Sequence, residues 1–130
     1  MSIANYKYSD ITRKIIGASM SVHNKLGCGF QEVIYQRALS MELDKCKLNH
    51  SREVEMPIFF DDEQIGTRRV DFVVEENVLI EIKALNSLDN VHLAQALNYL
   101  EAFKMETGLL INFGSKSLEF KRLINKKYKS

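Results

Sequence analysis

The chain has 130 residues, enough for a genuine core, with 45% apolar and 27% charged side chains. A net charge of +1 excludes a protein that holds nucleic acid by bulk charge alone, which would be more basic. Two cysteines outside any CxxC pair or zinc-like spacing, no secretory segment and no apolar run of membrane length imply a reduced, cytoplasmic protein without a membrane span.

No repeat or Pro/Gly/Ser-rich linker divides the chain, so residues 1–130 are expected to form a single domain. A first helix is predicted from about Asp10 to Leu26. Ser9 is its N-cap, Asp10 suits the positive N-terminal end, and Ile11, Ile15, Ala18, Val22 and Leu26 share one face. "LGCGF" ends it, because Gly27 and Gly29 accept the positive φ a sharp reversal needs. A second helix is predicted from about Gln31 to Lys47, with Tyr35, Leu39, Leu43 and Cys46 at helical spacing.

The pattern changes near Arg52. "VEMPIFF" reads as a strand near a sheet edge, since Pro57 cannot donate to a ladder, and "DDEQIG" reads as a turn. "TRRVDFVV" and "VLIEIKAL" are strands joined by "EEN", a hairpin signal. A helix from about Leu88 to Lys104 puts Leu93, Leu97 and Leu100 on its inner face, and "TGLLINF" and "LEFKRLI" are the last strands. The order α-α-β-β-β-α-β-β predicts an α/β fold, a mixed central sheet flanked by helices, rather than a regular βαβ repeat. Lys121, Arg122, Lys126, Lys127 and Lys129 form a basic end, read as a solvated terminus with phosphate contact as the alternative.

The hairpin carries the chemistry. A turn centred on Glu76 sets Phe72 opposite Ile80, Val74 opposite Val78 and Asp71 opposite Glu81. Alternation then gives one wholly apolar face, Val70, Phe72, Val74, Val78, Ile80 and Ile82. The other face holds Arg69, Asp71, Val73, Leu79, Glu81 and Lys83. Facing acids repel and demand a cation. Arg69 and Lys83 could supply it as a self-neutralising ladder; a divalent ion between hard carboxylate oxygens is the other solution. Two further groups bear on that choice. His92, Gln95 and Tyr99 make a polar stripe on the third helix, which solvent exposure alone would explain. Gly29, Glu32 and Tyr35 open the second helix as Gly-x-x-Glu-x-x-Tyr, where the helix dipole favours Glu32 and Tyr35 could be core.

The ordered set of Gly29-x-x-Glu32-x-x-Tyr35, Asp71, Glu81-x-Lys83 and Gln95-x-x-x-Tyr99 resembles the PD-(D/E)xK nuclease superfamily. More closely, it resembles the small branch named for the GxxExxY motif. The resemblance runs from "KLGCGFQEVIYQRAL" to "GLLINFG", departing where Val70 precedes Asp71 in place of a loosely kept proline. It implies a restriction-endonuclease-like core and Mg²⁺- or Mn²⁺-dependent hydrolysis of phosphodiester bonds, in DNA ahead of RNA. By that resemblance Asp71, Glu81 and Glu32 would be metal ligands, and Lys83 would position water and offset phosphoryl charge. Gln95 would orient water or a ligand, and Tyr99, with Tyr35 and His92, would serve substrate binding. The alternative is a non-catalytic module that keeps the fold and binds protein or nucleic acid. So bare and neutral a chain would need a second copy or an accessory protein to complete a substrate surface.

Overall fold

The computed structural model describes residues 8–128. Helix α1 (Ser9–Leu26) and helix α2 (Glu32–Lys45) lead into strands β1 (His50–Phe60), β2 (Glu63–Val74) and β3 (Val78–Lys83). Helix α3 (Asn90–Ala102) then crosses to β4 (Thr107–Asn112), and β5 (Glu119–Ile124) closes the sheet. The strands lie in the order β1-β2-β3-β4-β5, with β3 and β4 parallel and every other pair antiparallel. This is the mixed sheet and element order predicted, an arrangement of the restriction-endonuclease-like kind. Pro57 sits on the edge strand β1, where its missing N–H costs no ladder bond on the open side.

Two cores form because each sheet face is covered. On one side α1 and α2 bury Ile15, Val22, Tyr35, Leu39 and Leu43 against Phe72, Val78, Ile80, Ile82, Leu109 and Ile111. On the other, Ala96 and Leu100 of α3 pack on Val70, Leu79, Leu110 and Leu123. The predicted division into one apolar and one charged hairpin face is therefore corrected. Leu79 is core as fully as Ile80, since α3 shields the second face. Val70 also belongs to the α3 side, together with the partly buried Val73. Residues an odd number apart share that side, so strict alternation in β2 slips at Asp71.

Boundaries shift for local reasons. Tyr8, at φ 65°, precedes α1 where Ser9 was expected to cap; Ser9 is helical, and its carbonyl accepts a hydrogen bond from the Thr12 hydroxyl. Asp61 and Asp62 both take positive φ, so they alone make the tight turn and Glu63 to Gly66 extend β2. Helix α3 starts at Asn90 because Asp89 accepts from the N–H groups of Val91 and His92, while His92 Nδ1 accepts from Asp89 N. Lys129 of the basic end lies outside the described residues; Lys121 and Arg122 are exposed on the edge strand β5.

The segment after β3 is held by a clamp. The wholly buried Asn112 accepts from Leu85 N (2.8 Å) and Gly114 N (3.1 Å), and donates to Leu85 O (2.9 Å) and Glu119 Oε1 (2.9 Å). Gly114 is required by close approach: a Cβ there would lie 2.4 Å from Leu85 N and 2.5 Å from Ala84 C. Gly114→Ala should therefore destabilise the chain by about 2–3 kcal/mol in urea unfolding, as overpacking against backbone does. An unchanged midpoint would mean that this segment yields freely and does not fix the end of β3.

Candidate functional site

The β2–β3 pairing follows the predicted register, with Phe72 opposite Ile80 and Val74 opposite Val78. Beyond Phe72 the two acids replace the regular ladder. Ile82 N donates to Asp71 Oδ2 at 2.7 Å, and Asp71 N donates to Glu81 Oε2 at 3.2 Å. Each carboxylate thus accepts from the backbone of the opposite strand. That lowers the repulsion expected of facing acids, because each N–H dipole stabilises a negative oxygen.

The remaining oxygens are met from elsewhere. Gln36 Nε2, on α2, donates to Asp71 Oδ1 at 3.0 Å. The Gln36 carbonyl in turn accepts from Arg52 Nε (3.1 Å) and Nη2 (2.9 Å), which fixes the amide's orientation. Arg68 Nη2 reaches Glu81 Oε1 at 2.9 Å. The base paired with the acids is therefore Arg68 and not Arg69, whose guanidinium lies at the surface 4.0 Å from Glu55. The slip of β2 at Asp71 makes a choice between neighbouring arginines by simple parity unreliable.

The charge balance at these carboxylates remains unfavourable. Glu81 is only 3% exposed; burial first, and then the Asp71 charge, push its pKa up to about 7. Burial raises Asp71 as well, against the lowering effects of Ile82 N, Gln36, Arg68 and Lys83. Glu32, at the start of α2, is raised by partial burial and by Asp71, with Lys83, Arg68 and Ala84 N opposing. Electrostatically, then, Glu32, Asp71, Lys83 and Arg68 form one group, and Glu81 joins it through Asp71, Arg68 and Lys83. Among the described residues no three His, Cys, Asp or Glu side chains are close enough together to hold a metal ion.

The other expected residues divide clearly. Lys83 acts on all three acids through its charge but forms no ion pair among the described residues. Tyr99 lies under Arg68, with the guanidinium carbon 4.6 Å from the ring centroid. Gln95 is exposed on α3, and its side chain makes no hydrogen bond among the described residues. His92 is taken up by the α3 cap, 3.1 Å from Asp89 Oδ1. Tyr35 is wholly buried: it stacks on Phe113 at 4.8 Å, its hydroxyl donates to Gly27 O, and it accepts from Phe30 N. Its position serves to brace the "LGCGF" reversal.

Gln36 and Arg68 are the two contacts that sequence reasoning missed. Gln36 had a signal, since it lies four residues after Glu32 and so on the same face of α2. The "RR" pair at 68–69 flagged a base without saying which one turns inward.

Comparison with known proteins adds the following. Residues 9–123 match the model of a family described as the PD-(D/E)XK nuclease superfamily. Among solved structures the chain is similar to one described as the crystal structure of SSO0001. The TM-score is 0.56 and the identity 21%, over 91% of this chain and 59% of that one. At that identity the likeness concerns the fold, and the chain spans little more than half the length of its counterpart. No curated protein matches the chain.

Proposed function

We infer that this chain, which belongs to the PD-(D/E)XK nuclease superfamily, hydrolyses phosphodiester bonds of nucleic acid, DNA ahead of RNA, with a divalent cation at Asp71 and Glu81. The reading extends to its GxxExxY branch, on Gly29, Glu32 and Tyr35. The observation that carries it is the carboxylate pair, Glu81 buried and Asp71 half-buried, whose negative charge Arg68 and Lys83 leave under-compensated, with Glu81 raised to about 7.

The donor set fits a hard cation: the acids offer only carboxylate oxygens, and no thiol or imidazole stands among the groups coupled to them. Asp71 and Glu81 would hold it, while Glu32, too far to complete a three-carboxylate set in this conformation, adds negative charge at the rim. When bound, Mg²⁺ or Mn²⁺ supplies Lewis-acid polarisation and charge neutralisation at the phosphoryl group. Gln36 fixes the orientation of the Asp71 carboxylate through Oδ1, and Arg52 keeps Gln36 from rotating. Lys83 Nζ, free of any close carboxylate among the described residues, attracts the anionic substrate and orients the attacking water. Tyr99 acts through Arg68, while Gln95, which touches none of these groups, carries no step.

A second reading, a non-catalytic binding module, draws on one observation: all four oxygens of Asp71 and Glu81 already have donors. Thermal denaturation with and without 5–10 mM Mn²⁺ (roughly the range where weak oxygen sites fill) separates the two. A nuclease should gain several degrees of Tm and cleave DNA in the same buffer. A chain that neither shifts nor cleaves favours the module.

A further inference from the structure

Arg68 is more than a counter-ion in its geometry. Its guanidinium edge offers two parallel N–H directions, from Nε and Nη2, which suit a bidentate oxyanion. Glu81 uses one of them, Nη2, because its second oxygen is turned to Asp71 N. The other, Nε, is buried and has no hydrogen-bond partner. A buried donor left unmade is costly, and a guanidinium placed only to neutralise Glu81 would be expected to engage it with both teeth. Meanwhile Tyr99 supports the plane of the group from one side, itself stacked on Phe103 with centroids 6.1 Å apart. The plane is therefore held while its hydrogen-bonding edge is half used.

We propose that Arg68 is the phosphate-binding residue of this site, with Glu81 as a placeholder on its Nη2 that the divalent cation releases. The inference rests on the metal-dependent reading above. In the metal-free chain Arg68 holds Glu81 Oε1, for which an added cation would compete. With the cation bound, the Nε and Nη2 edge takes two oxygens of a phosphodiester, and the buried Nε gains the partner it lacks. Arg69, at the surface beside Glu55, has no such edge in the site.

One variant should move two affinities in opposite directions. In Arg68→Met, Ca²⁺ measured by titration calorimetry at pH 8.5, where Glu81 is ionised, should bind about tenfold more tightly, because no charge-assisted bond must be broken first. A fluorescein-labelled DNA duplex in saturating Ca²⁺ should bind about tenfold more weakly. A merely structural defect would weaken both. Arg68→Lys keeps charge and fold but not the fork, so it should lose duplex affinity while leaving Ca²⁺ affinity near that of wild type. Wild type that binds Ca²⁺, with Arg68→Met binding it no more tightly or either variant binding duplex equally well, overturns the role of Arg68 alone. Wild type that binds no Ca²⁺ overturns the metal reading, and this role with it.

Discussion

Asp71→Asn is expected to abolish cleavage by at least about a thousandfold while leaving the fold nearly intact. On the metal-dependent reading, several kcal/mol of transition-state charge stabilisation would depend on holding the cation, and each ~1.4 kcal/mol is tenfold in rate. The stability change should be small because two effects oppose. The amide oxygen can still accept from Ile82 N, whereas its NH₂ now meets the Gln36 NH₂, so that bond is lost while the Gln36 carbonyl stays on Arg52. Losing one such hydrogen bond costs about 1 kcal/mol. Against that, a desolvated charge whose pKa burial had raised is gone. The check is a paired measurement of initial cleavage rates and of urea unfolding midpoints in metal-free buffer. Cleavage that persists with the Mn²⁺-induced Tm shift also retained would place the cation elsewhere.

Metal-free stability is expected to fall as pH rises from about 4.5 to about 7, by about 3 kcal/mol. The unfolded Glu81 releases its proton near 4.5, while the folded one keeps it up to about 7. Within that window the folded state binds more protons, so stability drops with pH and then levels off. Asp71 and Glu32 are raised too and act in the same direction. Glu42 and Glu119 are held low by hydrogen bonds from Lys45 and Asn112 respectively, so their contributions are lost at the acid end instead. Metal-free stability should thus be greatest in mildly acidic buffer. On the proposed reading a divalent cation would bind the ionised carboxylates, so its stabilising effect should grow through the window in which the metal-free chain weakens. Urea unfolding across pH, with and without Mg²⁺, measures both trends. Glu81→Gln should remove most of the apo slope; a slope unchanged in that variant would assign it to other groups.

Local patterns carried far in this chain. Period-two apolar runs, the short "EEN" turn and the lone proline gave five strands, the hairpin register and the edge position of β1. The apolar spacing of Ile15, Leu39 and Leu100 gave three helices, and positive φ at Gly27 and Gly29 matched the predicted reversal. Each of these signals depends on residues within a few positions of one another, which is why it could be read without a third dimension. The cap of α3 was less legible: Asp89 and His92 close it reciprocally, and the helix starts at Asn90 rather than near Leu88.

By itself, then, the sequence determined the element order, the sheet class and the presence of Asp71, Glu81 and Lys83 on adjoining strands. Tertiary structure alone decided which groups surround the two acids. Gln36 reaches Asp71 because α2 docks across β2, and Gln95 does not because α3 leaves it facing solvent. Arg68 displaces Arg69 as the partner of Glu81 because β2 loses its alternation at Asp71. The physical reason is range. Propensity and periodicity are set by neighbours along the chain, whereas desolvation and charge pairing are set by whatever the packed fold brings within a few ångströms.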